Sequence, residues 1–165
     1  MPVKTLEDLF IHSLSDVYSA EKQLTKALPK MARAASSEEL KTLFTAHLEE
    51  TQGQVERIDQ VVEASGLKLK RIKCAAMEGL VEESQETIEE VEKGPVLDAG
   101  LIAAAQKVEH YEIATYGTLC ALAKTLGMDK RIIELLQDTL AEEKGADQKL
   151  SALAAAQVNE TAVAA

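Results

Sequence analysis

The feature that most constrains this chain is residues 105–119, Ala-Gln-Lys-Val-Glu-His-Tyr-Glu-Ile-Ala-Thr-Tyr-Gly-Thr-Leu. Gly117 alone disfavours a helix here. The apolar positions Leu101, Ala105, Val108, Ile113, Tyr116, Leu119 and Ala123 recur at helical spacing. On a wheel of about 100° per residue with Ala105 at zero, Glu109 falls near ~40° and Glu112 near ~−20°. Both carboxylates therefore straddle the centre of the face that should be buried. A glutamate is almost never buried without a partner. The segment thus demands a cation, a shared proton or a donor side chain in its core. His110 falls on the opposite side and should meet water.

Three other helices show the same conflict. The first is expected from an N-cap at Thr5 to about Ala35, with Glu7 and Asp8 at its positive end. Its stripe is Phe10, Leu14, Val17, Glu21, Leu24, Leu28 and Met31, in which Glu21 is the one acid. Pro29 predicts a kink or an end near residues 25–28. Ser36-x-x-Glu39 reads as a capping box for a second helix that runs to Ser65 and stops at Gly66. Its stripe of Leu40, Phe44, His47, Thr51, Gln54, Ile58 and Val62 is polar in the middle, with Glu50 at the edge. The last helix, capped by Asp129, carries Ile133, Leu136, Leu140, Glu143, Asp147, Leu150 and Ala154.

Between these hairpins, residues 67–73 read as a basic, extended connection. Cys74 to Val91 then forms a shorter helix that Gly94-Pro95 ends. The segment is too long for a tight turn and is better read as a crossover carrying its own helix. Ala, Leu, Glu and Lys dominate, only 3% of residues are aromatic, and Trp is absent. The chain is therefore all-α: two antiparallel helical hairpins in one domain, residues 1–155, followed by an Ala-rich flexible tail, residues 156–165.

Short turns allow depth to be counted along the hairpins. Glu21 lies 15 residues before Ser36, and Thr51 lies 15 after it. Glu50, Thr51 and Gln54 should therefore face Glu21. Gly127 should fold Glu112 against Glu143 and Glu109 against Asp147. Inward carboxylates from facing helices are how di-iron and di-manganese bundles are built, and oxygen-rich donors suit iron or manganese. Two readings remain open: a two-metal centre, or a hydrogen-bonded polar core with no metal, in which His47 bridges carboxylates. Tyr18, Tyr111 and Tyr116 are available as hydroxyl donors.

The net charge of −10 opposes nucleic-acid binding. No apolar run approaches the ~20 residues of a membrane span, and the N-terminus has no signal-peptide core. The chain reads as cytoplasmic, with Cys74 and Cys120 as reduced thiols.

At Tyr18-Ser-Ala-Glu21-Lys-Gln, His47-Leu-Glu-Glu-Thr-Gln-Gly-Gln54, Cys74-Ala-Ala-Met-Glu-Gly-Leu and, above all, Ala103 to Leu119, the sequence closely resembles the bacterial YciE/YciF family. The resemblance implies a ferritin-like four-helix bundle with an extra short helix in the crossover, a homodimer, and a place in the bacterial stress response. Within the wider ferritin-like group, Glu21 matches the first-helix ligand, and Glu109 with Glu112 is similar to the third-helix pair of rubrerythrin. Where that group has a histidine on the second and fourth helices, this chain has Gly53 and Ala146. The ligand set implied is Glu21, His47, Glu50, Glu109, Glu112, Glu143 and Asp147. The reaction it would serve is peroxide- or iron-related redox chemistry.

Overall fold

A computed structural model describes residues 2–165, with the backbone alone for Gln157. Met1, counted in the domain above, lies outside the described residues. The elements are α1 (Leu6–Ala34), α2 (Glu38–Ser65), α3 (Ala75–Glu90), α4 (Pro95–Thr125), α5 (Lys130–Leu153), a π-helical segment (Ala154–Val158) and α6 (Asn159–Ala164). Among the described residues none of the helices is long and apolar enough to cross a membrane.

The caps follow the sequence with one shift. Thr5 and Asp8 form a reciprocal capping box at the start of α1. The N-cap of α2 is Ser37 rather than Ser36; its hydroxyl accepts from the Leu40 N–H. Ser36 is instead drawn outward, because its N–H donates to Asp98 of α4 at 2.7 Å. The Ser37 N–H donates to the other Asp98 oxygen at 2.8 Å. Gly66 and Gly127 end α2 and the α4 hairpin in left-handed conformations, φ 69° and 64°, which glycine adopts without a Cβ clash. Pro29 does not end α1, which continues to Ala34.

The Asp98 contact places the start of α4 beside the α1–α2 turn. The chain therefore crosses the full length of the bundle between Gly66 and Gly94. Helix α1 packs on α2 and α4, and α5 packs on α2 and α4, with α3 lying outside against α1 and α4. The crossover is tied down by side chains. Ser15 Oγ accepts from the Lys70 N–H, Ser19 Oγ accepts from the Cys74 N–H, and Gln23 Nε2 donates to the Cys74 carbonyl. Tyr111 of α4 donates to Asp16 at 2.8 Å and lies 3.1 Å from Cys74 Sγ, which caps α3. Both cysteines are free and buried.

The apolar core is split in two. One cluster holds Leu24, Leu28, Met31, Leu40, Phe44 and Leu101 with their neighbours; the other holds Phe10, Leu14, Ile58, Leu119, Ile132 and Leu136 with theirs. Between them lie the buried polar groups. The tail differs from expectation. The chain stays helical to Ala164, and Val158 is buried in the first cluster. The core stripe of α5 reaches Leu150 and continues in Leu153 and Ala154, which pack on the same cluster, and the π turn over Ala154–Val158 sets the register in which Val158 is buried.

Asp98 is 3% exposed and satisfies two backbone donors at the tightest turn. Replacing it by Ala strands both N–H groups. Asp98→Ala is expected to lower stability by about 2–4 kcal/mol in urea unfolding, with Asp98→Asn losing less.

Candidate metal centre

The layer between the two apolar clusters is built from one to three side chains of each long helix. Glu21 comes from α1; His47, Thr51 and Gln54 from α2; Glu109, Glu112 and Tyr116 from α4; Glu143 from α5. All are buried. One donor atom from each of His47, Glu109, Glu112 and Glu143 lies within 4.8 Å of the others. Residues i and i+3 on α4 share a face, so Glu109 and Glu112 reach the same space from one helix.

The contacts sort into two carboxyl pairs and one imidazole. Glu21 faces Glu112, and Glu109 faces Glu143. His47 Nε2 lies 2.9 Å from Glu109 Oε1 and 3.8 Å from Glu143 Oε2, off the line that a hydrogen bond needs. Its other nitrogen, Nδ1, is 3.3 Å from Glu50 Oε2. Glu50 is a third exposed at its side chain and lies outside the buried layer. Tyr116, fully buried, donates to Glu21 Oε1 at 2.5 Å.

Asp147 is not brought to the layer. It accepts from Gln106 at 3.2 Å and pairs with the exposed His110 at 3.2 Å. The buried stripe of α5 is Ile132, Leu136, Thr139, Glu143, Ala146 and Leu150, rotated from the one expected. Helix α5 packs on both α2 and α4, and the small Thr139 and Ala146 fill that seam. Leu140 and Asp147 are left at its flank. A support missed in the sequence is Arg57, which donates to both oxygens of Glu142 and to Thr139. Gln54 Nε2 donates to the same Glu142 at 3.0 Å. The i to i+3 spacing of Gln54 and Arg57 is the signal that could have found it.

After these bonds are made, Glu21 Oε2, Glu109 Oε2, both oxygens of Glu112 and of Glu143, Gln54 Oε1 and His47 Nε2 have no hydrogen-bond partner. Buried polar atoms are nearly always satisfied, so this concentration in one layer marks a place built for a further group or for protons.

A family described as a domain of unknown function, DUF892, matches residues 5–163. Protein YciF of Escherichia coli strain K12 is 64% identical over 163 residues, 98% of each chain. The chain belongs to the YciF family. The crystal structure of the E. coli stress protein YciF superposes with a TM-score of 0.91 at 65% identity, over 94% of this chain and 98% of that one. YcfI of Rhodopseudomonas palustris gives 0.87 at 50% identity, over 90% and 94%.

The electrostatics of the layer in this YciF-family chain follow from burial. Burial pushes the Glu21 carboxyl up to about 7, although the Tyr116 hydroxyl, Glu112 and His47 oppose it. Burial likewise pushes Glu112 and Glu143 well above the usual carboxylate range, and neighbouring carboxylates add to it. Burial disfavours the His47 imidazolium, but Glu109, Glu50 and Glu143 outweigh that and raise its pKa well above the ordinary value. In the metal-free protein the layer therefore holds extra protons.

All four groups bind a proton more tightly folded than unfolded. Their stabilisation is present below the unfolded pKa and is lost as pH rises through the folded one. For Glu21 the window runs from 4.5 to about 7. Metal-free protein is expected to lose stability across this window, with Glu21 contributing on the order of 3 kcal/mol. Urea unfolding as a function of pH measures the loss. Glu21→Gln keeps an acceptor for Tyr116 and should flatten that part of the slope.

Proposed function

We propose that this protein is a ferritin-like stress-response protein whose polar layer is a non-standard two-metal carboxylate centre for iron or manganese. The single observation that carries the reading is the set of unpartnered ligand atoms of Glu21, His47, Glu109, Glu112 and Glu143 in one buried layer. The donor set fits such ions: several carboxylate oxygens and one imidazole. The connectivity supports the ferritin-like comparison. Two helical hairpins are joined by one long crossover, the arrangement found in ferritin-like bundles.

Glu21, His47, Glu109, Glu112 and Glu143 would hold the ions. Bound, iron or manganese supplies redox chemistry toward peroxide or ferrous iron. Glu50 accepts from, or shares a proton with, His47 Nδ1 and so fixes the ring with Nε2 facing the carboxylates. Tyr116 orients Glu21 in the same way. A cavity of ≈30 Å³ opens beside His47 and Glu109, lined by Leu28, Phe44, Ala105 and Leu150. About 10–15 Å³ holds one water, so the cavity has room for a peroxide-sized molecule. Lys149 and Glu50 line it as well.

Our reading is of a cytoplasmic homodimer. The free thiols Cys74 and Cys120 accord with a reducing compartment. A second reading keeps the dimer but leaves the core metal-free, acting through protein partners. It is favoured by one observation: carboxyl groups pushed up by burial can pair through shared protons without an ion.

Metal analysis by plasma mass spectrometry, on untagged protein expressed with iron and manganese, separates the two. We expect about two equivalents of iron or manganese, lost in Glu109→Ala and in Glu143→Ala. Stripping by chelator should lower the melting temperature by roughly 5–10 °C. A metal-free, fully folded protein whose melting temperature ignores chelator would establish the second reading.

A further inference from the structure

Thr51 and Gln54 belong to the polar layer but not to the ligand set above. Thr51 is satisfied locally: its hydroxyl donates to the His47 carbonyl at 2.8 Å. Gln54 is not. It is fully buried, and its Oε1 has no hydrogen-bond partner. A buried carbonyl oxygen left unpaired is costly.

The amide is held in one orientation. Its Nε2 donates to Glu142 Oε2 at 3.0 Å, and only the NH₂ end of an amide can donate to a carboxylate. Arg57 in turn holds both oxygens of Glu142, at 2.9 and 2.8 Å, and donates to Thr139 at 2.8 Å. The carbonyl end of Gln54 is therefore turned away from Glu142 and kept there.

Register places it at one end of the layer. The Asp98 contact starts α2 and α4 at the same end of the bundle, so the two helices run the same way. Along α2, Gln54 lies beyond His47 by about 10 Å at 1.5 Å per residue. Along α4, Glu112 and then Tyr116 lie beyond Glu109. His47 thus serves the Glu109–Glu143 pair, 2.9 Å from Glu109. Gln54 lies toward the other pair, Glu21 with Glu112, to which Tyr116 also donates. Side chains on a helix lean toward its N-terminus, which carries the Gln54 amide back into the layer.

Once ions displace the protons, Glu21, Glu109, Glu112 and Glu143 carry four negative charges, and His47 is neutral, as a metal ligand must be. Arg57 and Glu142 cancel each other outside the layer. Two divalent ions balance the four carboxylates. A fifth carboxylate at position 54 would leave a net negative charge where an unpaired charge is strongly disfavoured. Glutamine offers a hard oxygen and adds no charge.

We infer that Gln54 Oε1 is a ligand of the second ion, and that its neutrality matches the centre to two divalent rather than trivalent cations. The inference rests on the two-metal reading above and adds to it the charge of the ions held.

Equilibrium dialysis of chelator-stripped, full-length protein against Mn(II), and under nitrogen against Fe(II), tests it, with bound metal read by plasma mass spectrometry. Wild-type protein should take up two ions. Gln54→Leu keeps the bulk and removes the oxygen. Its weaker site should lose about tenfold or more in affinity, with the tighter site unchanged. A merely structural glutamine would instead lower the melting temperature of the metal-free variant and weaken both sites alike, and that result would overturn the inference. Gln54→Glu keeps both shape and oxygen, and serves even if leucine is not tolerated. In competition between Mn(II) and Ga(III), a redox-inert trivalent ion supplied as its citrate complex, it should shift the preference toward Ga(III) by about tenfold or more. An unchanged preference would overturn the charge matching. Equal affinities in wild type and Gln54→Leu would overturn the role of Gln54 and leave the two-metal reading standing. Wild-type protein that takes up fewer than two of either ion would overturn both.

Discussion

Four carboxyl groups and one imidazole share a buried layer, and the bundle is arranged around that cost. An ionised carboxylate in such surroundings is unfavourable by several kcal/mol unless it is paired. The chain offsets this with apolar clusters above and below, in which each fully buried Leu or Phe contributes about 1.5–3 kcal/mol. The lengths of the helices follow. At 29, 28, 31 and 24 residues, α1, α2, α4 and α5 are each far longer than the ~11–12 residues of an average helix. They must run past the polar layer in both directions to gather enough apolar surface. The burial of Val158 by a π turn belongs to the same accounting, because it extends the cluster on the α5 end of the core.

The layer is also held from outside. Glu50 reaches one nitrogen of His47, and Tyr116 reaches one oxygen of Glu21. Arg57 and Gln54 fix Glu142 one residue away from Glu143. The first two supports leave the inward atoms of their partners, His47 Nε2 and Glu21 Oε2, unbonded. A polar core that only satisfied itself would direct every donor at the nearest acceptor, and this layer does not. The cavity beside His47 and Glu109 has an apolar wall of Leu28, Leu43, Phe44 and Leu150, with Glu50 and Lys149 also lining it.

Much of this was legible in the sequence because two strong signals agreed. Helical periodicity fixed which face of α4 turns inward, and Glu109 and Glu112 sit at its centre in the structure as on the wheel. Counting from the turns placed Glu21, the middle of α2 and Glu143 at one depth, which the short loops at Ser36 and Gly127 made reliable. The same counting misjudged Asp147, because periodicity alone cannot separate two stripes a few tens of degrees apart on α5. The choice between them is made by packing, where small Thr139 and Ala146 fit a seam between two helices and Asp147 does not. Likewise Ser37 rather than Ser36 caps α2 because Asp98, more than sixty residues away, binds both N–H groups. Such a long-range contact leaves no local mark. The helical tail was hidden for a related reason: its alanines carry no periodic signal, and its order depends on the surface it meets.

Within α3 only Met77 and Ser84 are buried, so the helix adds little to the core. It nevertheless carries Glu78, Glu82, Glu86 and Glu90 at successive i, i+4 positions, with no lysine or arginine between Ala75 and Glu90. Like charges at that spacing weaken a helix by a few tenths of a kcal/mol per pair. The structure compensates in part: Cys74 caps the helix, Tyr111 and Asp16 hold the cap, and Lys107 reaches Glu83 at 3.3 Å. Lys107 does not touch the row of glutamates that lines the groove with α1, and the cations of residues 67–73 face the neighbouring groove. The strongest opposite charges of the crossover therefore lie end to end and, among the described residues, meet at one ion pair, Lys73 with Glu78.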